Sequence, residues 1–230
     1  MAISKNISKK IESLYSSINS ESHDKFNSGR YDVDPFLNAP ETDQRLGITL
    51  LIPLSGALTH NFIALENDIH AIEPDQYFYP ESDLHVTVLD LISARDDFKQ
   101  SCADIGKFIR LIQKAVTGIT PFRISFKGVI LSGNGILVKG YYVRGLQDIR
   151  GRMREMAIAN NIDFQERYQS ISAHATIVRF KSTIKNWLRL RAFMKRERRC
   201  ALGVMTVKEL HLVIHDWYNR KKEFVGTFVL

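Results

Sequence analysis

The sequence predicts an α+β fold of two pseudo-symmetric repeats, with antiparallel or mixed sheets and helices on their outer sides. Three observations carry this. The periodic segments run strand, helix, strand, helix, then strand, strand, helix, strand, helix, strand, strand, an order that suits two similar halves. Two short apolar strands echo one another, Leu84-His85-Val86-Thr87-Val88-Leu89 and Ala173-His174-Ala175-Thr176-Ile177-Val178, with their histidines 89 positions apart. No GxGxxG or Walker-type loop is present, which argues against a doubly wound nucleotide fold.

Taken in order, Ile7, Ile11, Leu14 and Ile18 recur at helical spacing and predict an amphipathic helix over 4–19, capped near Ser4. Residues 20–46, rich in Ser, Asn, Gly and Asp, read as an irregular arm. The expected division is therefore 1–46, a helix and arm, and 47–230, the main domain. Gly47–Leu54 is a strand, and Thr59 is placed to cap a helix whose Phe62, Leu65, Ile69 and Ile72 share a face before Pro74 stops it. The aromatic run Tyr77-Phe78-Tyr79 leads to the first echoed strand. Phe98, Cys102, Ile105, Ile109, Ile112 and Val116 form a stripe that predicts a helix from about Asp97 to Val116. Strands at Phe122–Leu131 and Gly135–Val143 flank Ser132-Gly133-Asn134-Gly135, a hairpin signal because Gly and Asn tolerate positive φ. Leu146, Ile149, Met153 and Met156 mark the next helix. After the second echoed strand, Ile184, Trp187, Leu188 and Met194 mark a basic helix. Strands at about Val207–Asp216 and Glu223–Leu230, joined by Asn219-Arg220-Lys221, close the chain.

The chain has 230 residues, enough for a substantial core, and its 44% hydrophobic and 25% charged residues are those of a globular protein. The two cysteines, Cys102 and Cys200, show no metal-ligand or CxxC spacing, so neither a disulfide framework nor a zinc site is expected. No leader-like N-terminus is seen and no apolar run approaches 18 residues, which predicts a cytoplasmic location and no membrane span. The net charge of +7 is uneven: residues 1–115 balance at −6 and residues 116–230 at +13. A basic second half favours phosphate-bearing partners.

Seven His and ten Thr would produce about 0.3 HxT triplets by chance, whereas this chain has two, each inside an apolar strand. A polar pair is costly there unless it is satisfied or employed. His and Thr two residues apart on a strand share a face, roughly 7 Å apart. Two imidazoles can hold opposite protonation states near neutral pH, and two hydroxyls can donate to phosphate oxygens.

The pairs His85-Val86-Thr87-Val88 and His174-Ala175-Thr176-Ile177 resemble the twin HxT motifs of the two-histidine (2H) phosphoesterase superfamily, which includes the bacterial RNA 2′-5′ ligase/cyclic phosphodiesterase type. The second copy, His174-Ala175-Thr176-Ile177-Val178-Arg179-Phe180-Lys181, is similar to an H-x-T-L-x-R-x-K pattern frequent there. The first has Leu89-Asp90-Leu91 where an aromatic and a glycine commonly fall. The resemblance covers Gly47 to Leu230. It implies two lobes around a central cleft, one HxT from each, and hydrolysis without a metal or other cofactor of 2′,3′-cyclic phosphates or 2′-5′/3′-5′ linkages. His85 and His174 would be the acid/base pair and Thr87 and Thr176 the phosphate ligands. The expected partner is RNA or a small nucleotide, bound by a monomer. The alternative is a non-catalytic module that grips an RNA end; a metal-dependent hydrolase is disfavoured by sparse ligand clusters.

Other residues have plainer readings. His211 and His215, about 13 Å apart on a strand, are too far apart for one ion and suggest a structural or solvent role. Arg179 lies at an odd offset from His174 and points away from the histidine face unless a bulge redirects it; if redirected, it becomes a substrate ligand. Tyr141 is a candidate to stack a base. The run Lys181, Lys185, Arg189, Arg191, Lys195, Arg196, Arg198 and Arg199 is either a solvated helix face or an RNA-backbone rail.

Overall fold

The computed structural model describes residues 2–99 and 104–230, with the side chains of residues 2–5 excepted. Its elements are α1 (Ala2–Asn27), β1 (Leu46–Pro53), α2 (Ala57–His70), β2 (Tyr77–Phe78), β3 (His85–Arg95), α3 (Ile105–Val116), β4 (Phe122–Ser132), β5 (Gly135–Tyr142), α4 (Gly145–Ala159), β6 (Ala175–Arg179), α5 (Trp187–Glu197), β7 (Ala201–Val207), β8 (Glu209–Asp216) and β9 (Lys222–Val229). Two antiparallel sheets form, a four-stranded one ordered β3-β1-β8-β9 and a five-stranded one ordered β2-β6-β5-β4-β7. The α+β class and the two-sheet plan are those the sequence predicts. One motif strand falls in each sheet.

Several boundaries differ, each for a physical reason. The first helix runs on to Asn27 instead of stopping near residue 19. Phe26 is buried and stacks on Tyr31 at 4.4 Å and Trp187 at 4.9 Å, and the buried Ser22 returns its hydroxyl to the Ile18 carbonyl. Tertiary packing thus holds a segment whose polar composition alone reads as loop. The second helix starts at Ala57 behind Gly56, whose φ of 73° suits glycine. Thr59 is inside that helix, donating to the Gly56 carbonyl and to Glu81. The third helix begins at Ile105, with the Asp104 carboxylate accepting from the Lys107 amide at 3.1 Å, because β3 persists to Arg95 and turns at Asp96-Asp97. Cys102 lies outside the described residues. Leu188 is 76% exposed and does not share the buried face of α5. Strand β7, which the sequence reading does not include, is a separate edge strand paired with β4.

The core joins both sheets and all five helices through residues such as Ile48 and Ile52 in β1, Phe62 in α2, Ile112 in α3, Ile149 in α4 and Leu190 in α5. Each such side chain contributes about 1.5–3 kcal/mol on burial. Ile11, Tyr15 and Phe26 of α1 belong to this same core, and the Tyr15 hydroxyl donates to the Gly140 carbonyl at 2.9 Å. No helix among the described residues is long and apolar enough to cross a membrane.

Candidate active site

The two motif strands repeat one local irregularity. In β3, Thr87 pairs with Leu51 while Leu89 pairs with Leu50, so Val88 is the extra residue of a bulge. In β6, Thr176 pairs with Leu137 and Val178 with Ile136, so Ile177 is the extra residue. Both bulges fall directly after the threonine. Burial follows them: His85 and Thr87 are half-buried with Val86, Val88 and Leu89 buried, and His174 and Thr176 are half-buried with Ala175, Ile177 and Val178 buried.

A bulge reverses the alternation beyond it. The third residue after each threonine therefore returns to the histidine face, and these residues are Asp90 and Arg179. Their electrostatics agree. Asp90 favours protonation of His85, and Arg179 opposes protonation of His174. Equivalent positions in the two halves carry opposite charges. Arg179 is held by Asn134 Oδ1 at 2.7 Å and by the Tyr79 hydroxyl at 3.4 Å, and Asp90 accepts from the Thr49 hydroxyl at 2.9 Å.

The histidines are close enough for His85 to weigh on the protonation of His174. Arg150 of α4, only 1% exposed, bridges β3 and the residues just before β6. Its Nε donates to the Val88 carbonyl at 2.7 Å, its Nη2 to the Thr87 and Ser172 carbonyls at 2.8 Å each, and its Nη1 to the Tyr142 hydroxyl at 3.2 Å. One guanidinium thus ties the first motif to the residue two before His174. The sequence marks this helix only by its apolar stripe, and the tertiary partners of Arg150 reveal its role.

Each ring has a distinct polar support. His85 Nδ1 lies 2.7 Å from the Asp83 carbonyl oxygen, an acceptor only, so Nδ1 carries a hydrogen and Nε2 is left for the cleft. Asn219, in the left-handed region at φ 63°, donates to that same carbonyl at 3.1 Å and sits 3.3 Å from His85 Nδ1. His174 Nδ1 lies 2.7 Å from the Ser172 hydroxyl. Desolvation by burial pushes the pKa of each imidazole down to about 4, with Arg179 adding to the effect at His174 and the Asp83 carbonyl opposing it at His85. Among the described residues neither the Thr87 nor the Thr176 hydroxyl bonds another protein group.

His215, for which the sequence suggests a structural or solvent role, is buried next to the first motif. Its ring packs edge-on against His85 at 6.3 Å. Among the described residues, both of its nitrogens and Asn219 Oδ1 are buried without hydrogen-bond partners, and Asn219 lies beside His85. His211 instead turns to Glu209 at 2.9 Å. Tyr141 is engaged elsewhere: its hydroxyl donates to Glu12 at 2.5 Å and its ring meets Tyr15. The basic run divides, with Lys185 paired to Asp75, Arg196 to Glu197, and Arg198 and Arg199 turned toward β4. Among the described residues no group of three or more His, Cys, Asp or Glu side chains could hold a metal ion.

Among solved structures the chain is similar to TT0787 of Thermus thermophilus, at 16% identity and TM-score 0.53, over 81% of this chain and 97% of that one. It is similar to a protein described as a phosphoesterase, at 14% identity and TM-score 0.55 over 82% and 98%. It is also similar to E. coli LigT in its apo form, at 15% identity and TM-score 0.54 over 81% and 98%. The chain has a LigT-like fold. No family model matches the sequence, and neither does any curated protein.

Proposed function

We propose that the protein is a phosphodiesterase that opens 2′,3′-cyclic phosphates, or cleaves 2′-5′/3′-5′ linkages, of RNA or nucleotides, using His85, His174, Thr87 and Thr176. The observation that carries this reading is the pair of HxT segments tied by one buried guanidinium, with the Asp90 carboxylate acting on His85 and the Arg179 guanidinium on His174. Support comes from the phosphoesterase fold, and from E. coli LigT, which has been crystallised with NADP+, with ATP and with phosphate.

Burial lowers the pKa of both imidazoles to about 4, and the charges around each ring support a division of roles. Arg179, Arg150 and His85 all oppose protonation of His174, which suits a neutral base. The Asp83 carbonyl and Asp90 favour protonation of His85, against Lys222 and His215, which suits the acid. A phosphodiester anion entering the cleft favours the charged form of both rings and raises both pKa values. His174 Nε2 then takes a proton from water as its oxygen attacks phosphorus. The bond from phosphorus to one ribose oxygen breaks, and His85 Nε2–H protonates that oxygen as it leaves. Thr87 and Thr176 donate to the non-bridging oxygens as charge builds there. The product is a ribose phosphomonoester. Each proton transfer is worth roughly 10²–10⁴-fold.

The test is a panel of 2′,3′-cyclic mononucleotides, 2′-5′ oligonucleotides and phosphate-ended RNAs, scored by product in the wild type and both histidine variants. Turnover that survives EDTA and disappears in both variants is the expected result. Binding without turnover would support the alternative, a module that grips RNA ends.

A further inference from the structure

Away from the HxT motifs, a concavity of about 1090 Å³ lies between α1 and the five-stranded sheet. Drug-sized ligands fill roughly 300–1,000 Å³, so this space is large for a mononucleotide. Lys127 of β4, Lys139 of β5, and Arg198 and Arg199 after α5 line it. None of the four makes an ion pair or a side-chain hydrogen bond among the described residues, and Lys139 is only 6% exposed, its ammonium 5.9 Å from the Tyr141 ring. Two carboxylates share the wall, Glu12 and Asp24, and Glu12 already accepts from Tyr141. Ser16, Asn19, Ser20 and Ser125 add neutral donors.

The arrangement is built by the backbone. At Gly128, φ 77°, a Cβ would stand 2.0 Å from the Arg198 carbonyl oxygen, so glycine alone lets the end of α5 come down onto β4. The Gly128 amide donates to the Cys200 carbonyl at 2.8 Å and locks that approach. The cavity also shares a sheet face with the second motif. Leu137 pairs with Thr176, and Lys139 and Tyr141 follow it at intervals of two along β5. Strand β7 is three strands from β6, about 14 Å at the usual spacing. That is a reach of two to three nucleotides.

We propose that this cavity binds the sugar–phosphate backbone of a single-stranded RNA whose end lies between His85 and His174, a reading that rests on the function proposed above. Four unpaired cations around a polar trough suit consecutive phosphates, and the half-buried Tyr141 supplies a face for a base. The natural substrate is then an RNA strand, with a cyclic mononucleotide engaging the HxT site alone.

The experiment compares the wild type with a Lys127→Gln/Arg198→Gln/Arg199→Gln variant, three exposed positions, and separately with Lys139→Met. Binding of an eight-nucleotide single-stranded RNA ending in a 2′,3′-cyclic phosphate is followed by fluorescence anisotropy across a salt series. Hydrolysis of a 2′,3′-cyclic mononucleotide is followed in parallel. The triple variant should bind the RNA at least about tenfold more weakly, with a salt slope shallower by about 2, since each single-strand phosphate contact contributes roughly 0.7. Its mononucleotide turnover should stay within about twofold of the wild type, and Lys139→Met should show a smaller loss of the same kind. Unchanged affinity and slope in the variants, or a wild type that does not bind the RNA, would overturn the proposal, as would equal loss of RNA binding and mononucleotide turnover. RNA binding that depends on these cations without hydrolysis by any form would uphold the cavity and refute the phosphodiesterase reading.

Discussion

Replacing Arg150 with Met removes the guanidinium that joins the two motif strands while keeping most of its apolar volume. Three carbonyl oxygens, those of Thr87, Val88 and Ser172, lose donors at 2.7–2.8 Å, and the Tyr142 hydroxyl loses one at 3.2 Å. A hydrogen bond from a charged donor contributes about 1.5–3 kcal/mol, and each buried acceptor left unsatisfied costs about 1–3 kcal/mol. Against this stands relief from burying a charge with no carboxylate partner, a desolvation cost of several kcal/mol. The balance is a loss of about 3–5 kcal/mol, a large part of the roughly 5–15 kcal/mol that holds a domain together. Urea unfolding measures it. Where the variant is still folded, freed strands shift the histidines, and a misplacement of about 1 Å costs on the order of 10²-fold in kcat with KM changed less. A merely structural arginine would not alter protonation at the site, but Arg150 opposes protonation of His174, so its loss should move the acidic limb of the kcat profile to higher pH. Stability within about 1 kcal/mol of wild type together with an unmoved pH profile would show that Arg150 does not join the two motifs.

Other outcomes follow from the same geometry. Arg179→Met should also raise the His174 pKa and shift the acidic limb upward, as read from kcat against pH. Thr87→Val and Thr176→Val should each lower kcat by about 10²–10³-fold with unfolding midpoints little changed, because the hydroxyls support no other protein group. Glu66, 4% exposed, has its carboxyl pushed up to about 8 by desolvation, so the fold binds a proton that the unfolded chain releases near 4.5. Stability should therefore fall as pH rises from about 4.5 to 8, and Glu66→Gln should flatten that slope in urea titrations and stabilise the protein at pH 7 by up to about 3 kcal/mol. His85, His174 and His215 shift the opposite way, down to about 4, so their contribution to stability should be full above about 6.5 and lost as pH falls toward 4.

The elements legible in the sequence were those with an uninterrupted period. The apolar β-branched runs marked the motif strands, and the three-and-four stripes marked α2 to α5, though their ends depended on contacts. α1 outran its apolar stripe because Phe26 finds Tyr31 and Trp187, neighbours no local pattern shows. β7 escaped notice because it is an edge strand whose Val204 is exposed and whose Gly203, at φ 125°, breaks the strand signal. The four HxT residues could be read directly. Their surroundings could not. Val88 and Ile177 look like any strand residue, yet their bulges put Asp90 and Arg179 on the histidine face. Arg150 and His215 matter through partners 62 and 130 positions away in sequence, on elements that only folding brings together. The sequence did leave the bulge open as the one way Arg179 could reach the site, and the register in β6 is of that kind.

The most direct test is hydrolysis of a 2′,3′-cyclic mononucleotide by purified wild type, His85→Ala and His174→Ala, with folding checked by circular dichroism. The wild type should convert it to a phosphomonoester, and each variant should lose at least about 10²-fold in kcat/KM while remaining folded. Near-full activity in either variant would contradict a two-histidine mechanism at this cleft.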